Sequence, residues 1–115
     1  MKPNIINVSL NDKFKNISYP IFIGNNLLSN CEEILKDFIL KRKVILIHDN
    51  FFSLSNENNE QFISFVEIIK KLTVSLNLIS VPGGDNSKNI SQLEYILEES
   101  LSFKIDRGSL IIAFG

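Results

Sequence analysis

The chain has 115 residues, with 12 Lys and Arg against 13 Asp and Glu, for a formal net charge of −1. That length is one ordinary domain, and 44% apolar with 22% charged residues excludes a disordered segment. Balanced charge removes the electrostatic case for nucleic acid or an anionic membrane, and one Cys and one His exclude an internal disulfide framework and a His/Cys-built zinc site.

Taken in chain order, Ile5 to Leu10 alternates, with Ile6, Val8 and Leu10 on one parity, as a half-buried strand would. Asn11-Asp12-Lys13 reads as a turn, and Asn16 to Ile23 as a second strand, which Pro20 confines to a sheet edge. The two form an antiparallel hairpin that ends at Gly24. A helix follows, with Leu27, Ile34, Leu35, Phe38 and Ile39 as its apolar stripe and a capping box at Ser29/Glu32 or Asn30/Glu33. Lys41-Arg42-Lys43 closes it; cations at a helix C-terminus explain the trio better than a phosphate site does. Val44 to Ile47 is a continuous apolar run, the pattern of a strand buried on both faces in a parallel sheet. After a polar stretch from Ser53 to Glu60, Phe62, Phe65, Val66, Ile69 and Leu72 mark a helix. Leu76 to Val81 is a strand, Pro82-Gly83-Gly84-Asp85 breaks it, and Leu93, Ile96, Leu97 and Leu101 mark a helix starting near Asn89. Asp106-Arg107-Gly108 turns into a last buried strand, Leu110 to Gly115.

Helix and strand alternate after the hairpin. This order predicts an α/β fold: a Rossmann-like parallel sheet with helices on both faces, preceded by an antiparallel strand pair, with the last strand ending the chain. Ligands of such sheets bind off the carboxyl ends of the strands. Three strand ends therefore matter: His48-Asp49-Asn50, Pro82 to Lys88, and Phe114-Gly115. Asp49 reads equally as an acceptor for ribose hydroxyls and as an Asx turn or cap. His48 reads better as a strand-end residue bonded to backbone than as a general base. Gly83 and Gly84 allow positive φ and close approach of a ligand, with Asp85, Asn86, Ser87 and Lys88 supplying amides, an acceptor and a cation. The bland reading of that stretch is a strand-to-helix turn whose Asp or Asn caps the helix.

These features, in this order, resemble the N-terminal domain of the 3-dehydroquinate synthase family. That family carries a Tyr-x-Ile-x-Ile-Gly-like run, matched by Tyr19 to Gly24, and a strand ending in Asp, matched by Asp49. It carries Pro-x-Gly-Glu-x-x-Lys, matched by Pro82 to Lys88, and Asp-Arg before a strand entering Ala-Leu-Gly-Gly-Gly, matched by Asp106 to Gly115. The departures are Asp85 in place of Glu, Ser87 in place of an aromatic, Phe114 in place of Leu, and Phe51 and Phe52 where an Asn commonly follows.

The resemblance implies that residues 1–115 are an NAD-binding domain, itself incomplete, without the C-terminal metal and substrate domain. It implies NAD contacts from Asp49, from Gly83, Gly84, Asp85, Asn86, Ser87 and Lys88, and from Gly115. No catalytic or metal-ligating residue falls in this stretch. Family members convert 3-deoxy-arabino-heptulosonate 7-phosphate to 3-dehydroquinate and phosphate, using NAD and a divalent metal, zinc or cobalt, held by later segments. They are often homodimeric and cytoplasmic, without nucleic-acid or membrane partners. The resemblance thus makes the chain a lyase fragment, inactive alone. Three other readings stand beside it: a free-standing or degenerate nucleotide-binding module, a related sugar-phosphate cyclase or glycerol dehydrogenase fragment, and a structural flavodoxin-like domain.

Overall fold

A computed structural model of the chain describes residues 3–11, 16–52 and 59–115. The expected turn at Asp12-Lys13 and most of the polar stretch from Ser53 lie outside the described residues. Strands β1 (Asn4–Asn11) and β2 (Asn16–Ile23) pair antiparallel, with Ile6 opposite Ile21 and Pro20 opposite Asn7. Helix α1 (Cys31–Ile39), strand β3 (Lys43–Asp49), helix α2 (Glu60–Leu72), strand β4 (Ser75–Val81), helix α3 (Ile90–Ser102) and strand β5 (Leu110–Phe114) follow. The sheet is parallel, with β3 in the middle and β4 and β5 on either side.

That order decides where the helices go. The crossovers from β3 to β4 and from β4 to β5 run in opposite directions across the sheet. Connections of one hand then put α2 and α3 on opposite faces. On the α1–α2 side, Val44 and Leu46 of β3 join Cys31, Ile39, Phe62, Phe65 and Ile69 in one buried cluster. Ile45 and Ile79, of the other parity, are buried on the α3 side. Covered on both faces, β3 is the apolar run its sequence predicts. The loops at the far end are stitched together: the Lys41 N–H donates to the Leu72 carbonyl at 3.2 Å and the Val74 N–H to the Arg42 carbonyl at 2.9 Å.

Several local expectations change. α1 begins at Cys31 without a capping box; the Asn30 side chain donates backwards to the Asn26 carbonyl at 3.1 Å. Leu27 precedes the helix, and Phe38 is exposed. The basic trio lies beyond the helix end: Lys41 takes a left-handed φ of 60°, and the Lys43 ammonium donates to the Lys104 carbonyl at 3.1 Å. On α3, Leu93, Leu97 and Leu101 are exposed, and Ile96 is more covered than any of them. The strand pair is not half-buried either, because β1 and β2 make extensive contact only with each other.

Candidate functional site

The carboxyl ends of β3, β4 and β5 open on one cleft of about 390 Å³. Since β4 and β5 flank β3, the chain reverses direction across the sheet at β3, and the cleft lies at this switch point. Ile47, Val81 and Ala113 give it apolar walls. These residues escaped the sequence reading, although each is a strand-end position whose inward face the strand register fixes.

Asp49 ends β3. Its Oδ1 accepts the Phe51 N–H at 2.9 Å, so the Asx-turn reading holds for one oxygen. The other oxygen faces Gly83. A methyl group added at Gly83 would stand 2.8 Å from the Asp49 Cγ, closer than packed atoms allow. Gly83 is thus what lets the carboxylate lie against the backbone of the next strand end. Gly84 then turns with φ 91° and ψ 169°, a conformation reserved for glycine. Asp85–Ser87 forms a single tight turn, in which the Ser87 hydroxyl donates to the Gly84 carbonyl at 2.7 Å and the Lys88 N–H to the Asp85 carbonyl at 3.1 Å. The amides of Asp85 and Asn86 come before the first bonded donor of that turn, as at any helix start.

The Lys88 ammonium lies 3.2 Å from the Asp85 carboxylate, and both side chains are almost fully exposed. Such a pair adds little stability, which leaves both groups able to turn to a ligand. The cap of α3 belongs to neither: Asn89 Oδ1 accepts the Gln92 N–H at 2.9 Å, and the Asn89 amide donates to the Asn86 carbonyl at 2.9 Å. The stretch Pro82 to Lys88 is thus a strand-to-helix turn, but neither its Asp nor its Asn caps the helix, because Asn89, just beyond it, does.

Asp49, Gly83, Gly84, Asp85, Ser87, Lys88 and Gly115 line the same cleft, and Asn86 does not. His48 is buried, and its Nδ1 lies 3.0 Å from the Asp49 carbonyl, the backbone-bonded role expected of it. Its ring meets Phe62 at 4.8 Å, in an aromatic layer under the cleft. Phe114 packs on Phe52 at 4.8 Å and on Phe65 at 5.2 Å. The residues that depart from the family pattern at 52 and 114 therefore fill one space together. Among the described residues, no group of three or more His, Cys, Asp or Glu could hold a metal ion. No helix of the described residues is long and apolar enough to cross a membrane.

The site offers two carboxylates, Asp49 and Asp85, a run of backbone amides and one cation, Lys88, around a half-apolar cleft. That set suits a ligand with hydroxyl groups at one end and a phosphate at the other.

No protein-family model matches the chain. It is similar to a 3-dehydroquinate synthase of Prochlorococcus marinus (strain AS9601), 32% identical over 116 residues, covering 100% of this chain and 30% of that protein. A 3-dehydroquinate synthase of Clostridium kluyveri is 31% identical over 112 residues, covering 94% of this chain and 28% of that protein. The chain thus spans under a third of the length of these curated relatives. A crystal structure of 2-deoxy-scyllo-inosose synthase complexed with carbaglucose-6-phosphate, NAD+ and Co2+ shares the fold, with a TM-score of 0.63 at 18% identity over 90% of this chain and 26% of that one.

Proposed function

Because the chain belongs to the 3-dehydroquinate synthase family, we propose that it forms the NAD-binding part of such an enzyme. The observation that carries this reading is the Asp49 carboxylate held against Gly83 at the switch point, beside the glycine turn. In it, Asp49 accepts hydrogen bonds from hydroxyls of the adenosine ribose. Gly83 and Gly84 let the pyrophosphate approach the backbone; Asp85 to Lys88 and Gly115 complete the contacts. The residues present fit the cofactor: an open glycine with nothing within 4 Å of its missing side chain borders the cleft at Gly84. When bound, NAD supplies a transient oxidation that acidifies a neighbouring C–H bond.

The whole reaction would be the conversion of 3-deoxy-arabino-heptulosonate 7-phosphate to 3-dehydroquinate and phosphate, in aromatic amino acid biosynthesis. Its divalent metal and its sugar-phosphate contacts would come from residues outside 1–115, which leaves this stretch inactive by itself. The same reading makes the protein a cytoplasmic homodimer.

Calorimetric titration of NAD into the chain tests the cofactor role. Weak binding, well above micromolar, is expected, and Gly83→Ala and Asp49→Ala should each abolish the heat while the circular dichroism is retained. No heat at millimolar NAD, or equal binding by the variants, would overturn the assignment. Micromolar affinity would contradict the view that further contacts lie elsewhere.

A further inference from the structure

The aromatic layer beneath the cleft has no part in the contacts assigned above. His48 comes to it from β3, Phe52 from the turn after β3, Phe62 and Phe65 from α2, and Phe114 from β5. Phe114 meets Phe52 edge-on at 4.8 Å, Phe62 at 5.3 Å and Phe65 at 5.2 Å. Phe52 also meets Phe62, at 5.8 Å. Ring pairs at such spacings attract each other beyond the area they bury.

The turn that Phe52 closes is the one that holds Asp49. It runs over Asn50–Phe52, and the N–H of its middle residue, Phe51, donates to Asp49 Oδ1 at 2.9 Å. Asn50 and Phe51 are exposed, whereas Phe52 packs on the buried cluster. A single helical turn of three residues is too short to hold its own shape. Its place is set by what Phe52 is anchored to. The nearest ring to Phe52 is that of Phe114, on another strand, one residue before Gly115, and Phe114 itself lines the cleft. A shift of the Phe114 ring thus reaches the carboxylate through one ring, one turn and one hydrogen bond.

We propose that Phe52 and Phe114 are positioning residues for the nucleotide site. The pair clamps the turn after β3 and so sets the direction of the Asp49 carboxylate. Gly83 bounds that carboxylate on its other side. The backbone there is fixed by the strand register, which leaves the ring pair as the adjustable half of the grip. The inference rests on the cofactor reading for the identity of the ligand, and on the ring geometry alone for the placement of Asp49.

The Phe51 amide reads its bond to the carboxylate directly, and nuclear magnetic resonance of the chain follows it without NAD. Phe52→Leu and Phe114→Leu keep both positions apolar. Each should move the Phe51 amide signal and speed its exchange by about threefold to tenfold, the scale of one ring pair. Ile69→Val thins the same buried cluster without removing a ring and should leave the Phe51 signal in place. Calorimetry should then show NAD binding weakened by a similar factor in the two leucine variants and kept in Ile69→Val. A Phe51 signal unmoved by both leucine variants, or moved as far by Ile69→Val, would overturn the proposal. So would a moved signal with NAD affinity unchanged. No heat from the unaltered chain would instead overturn the cofactor reading, and the amide signal would still decide whether the pair places Asp49.

Discussion

Gly83 has no side chain because the Asp49 carboxylate occupies the space one would need. The two residues are 34 positions apart in the sequence, and no local pattern links them. Only the parallel register, which sets Asp49 beside Val81, brings them together. Gly84 differs: its φ of 91° is a backbone demand that the Gly-Gly pair already announces. Cys31 shows a balance at the same scale. Burial pushes its thiol above the ordinary value of 9.0, Glu32 adds to this, and a backbone hydrogen bond only partly opposes it. The folded state therefore favours the neutral thiol. This contribution is full below the unfolded thiol's pKa and is lost as pH rises past it. Thermal midpoints should fall as pH rises past the unfolded thiol's pKa, about 8.5, and they should fall less in Cys31→Ala, as melts in alkaline buffers would show.

At the scale of elements, α3 depends on a cap more than on its apolar stripe. Leu93, Leu97 and Leu101 are exposed, so packing contributes less to this helix than to α2, where Phe62, Phe65 and Ile69 are buried. Asn89 caps α3 and ties it to the Asn86 carbonyl of the preceding turn. Asn89→Ala should cost about 1 kcal/mol. It should also lower NAD affinity by loosening the turn, and urea melts beside calorimetry would separate the two effects. The helical spacing of α3 was legible in the sequence, but which side of it meets the sheet was not. Periodicity identifies an apolar stripe, while coverage depends on neighbours the stripe does not name. The hairpin followed the same rule: its alternation and antiparallel pairing were legible, and its exposure was not.

For the whole molecule, the order of strands governs both stability and site. β3 is bonded on both sides and buried on both faces, whereas β5 pairs only with β3 among the described residues. In hydrogen exchange, β3 amides should be the slowest to exchange, and Leu110 to Ala113 should exchange faster. Equal protection of the two strands would contradict this ranking. The strand order also creates the cleft, since the reversal at β3 separates the crossovers and leaves the strand ends open between them.

The sequence by itself determined the α/β class, the element order, the strand-end positions of Asp49, Gly83 to Lys88 and Gly115, and the backbone role of His48. These follow from periodicity, glycine and proline, which act over a few residues. Tertiary structure alone decided that Asp49 lies on Gly83, that Phe52 and Phe114 share one space, that Asn89 takes the cap, and that the strand pair stays open on both faces. Each of these is a contact, or the lack of one, between residues distant in sequence or competing for one local role. Such outcomes depend on which surfaces the folded chain brings together, and spacing along the chain does not encode that.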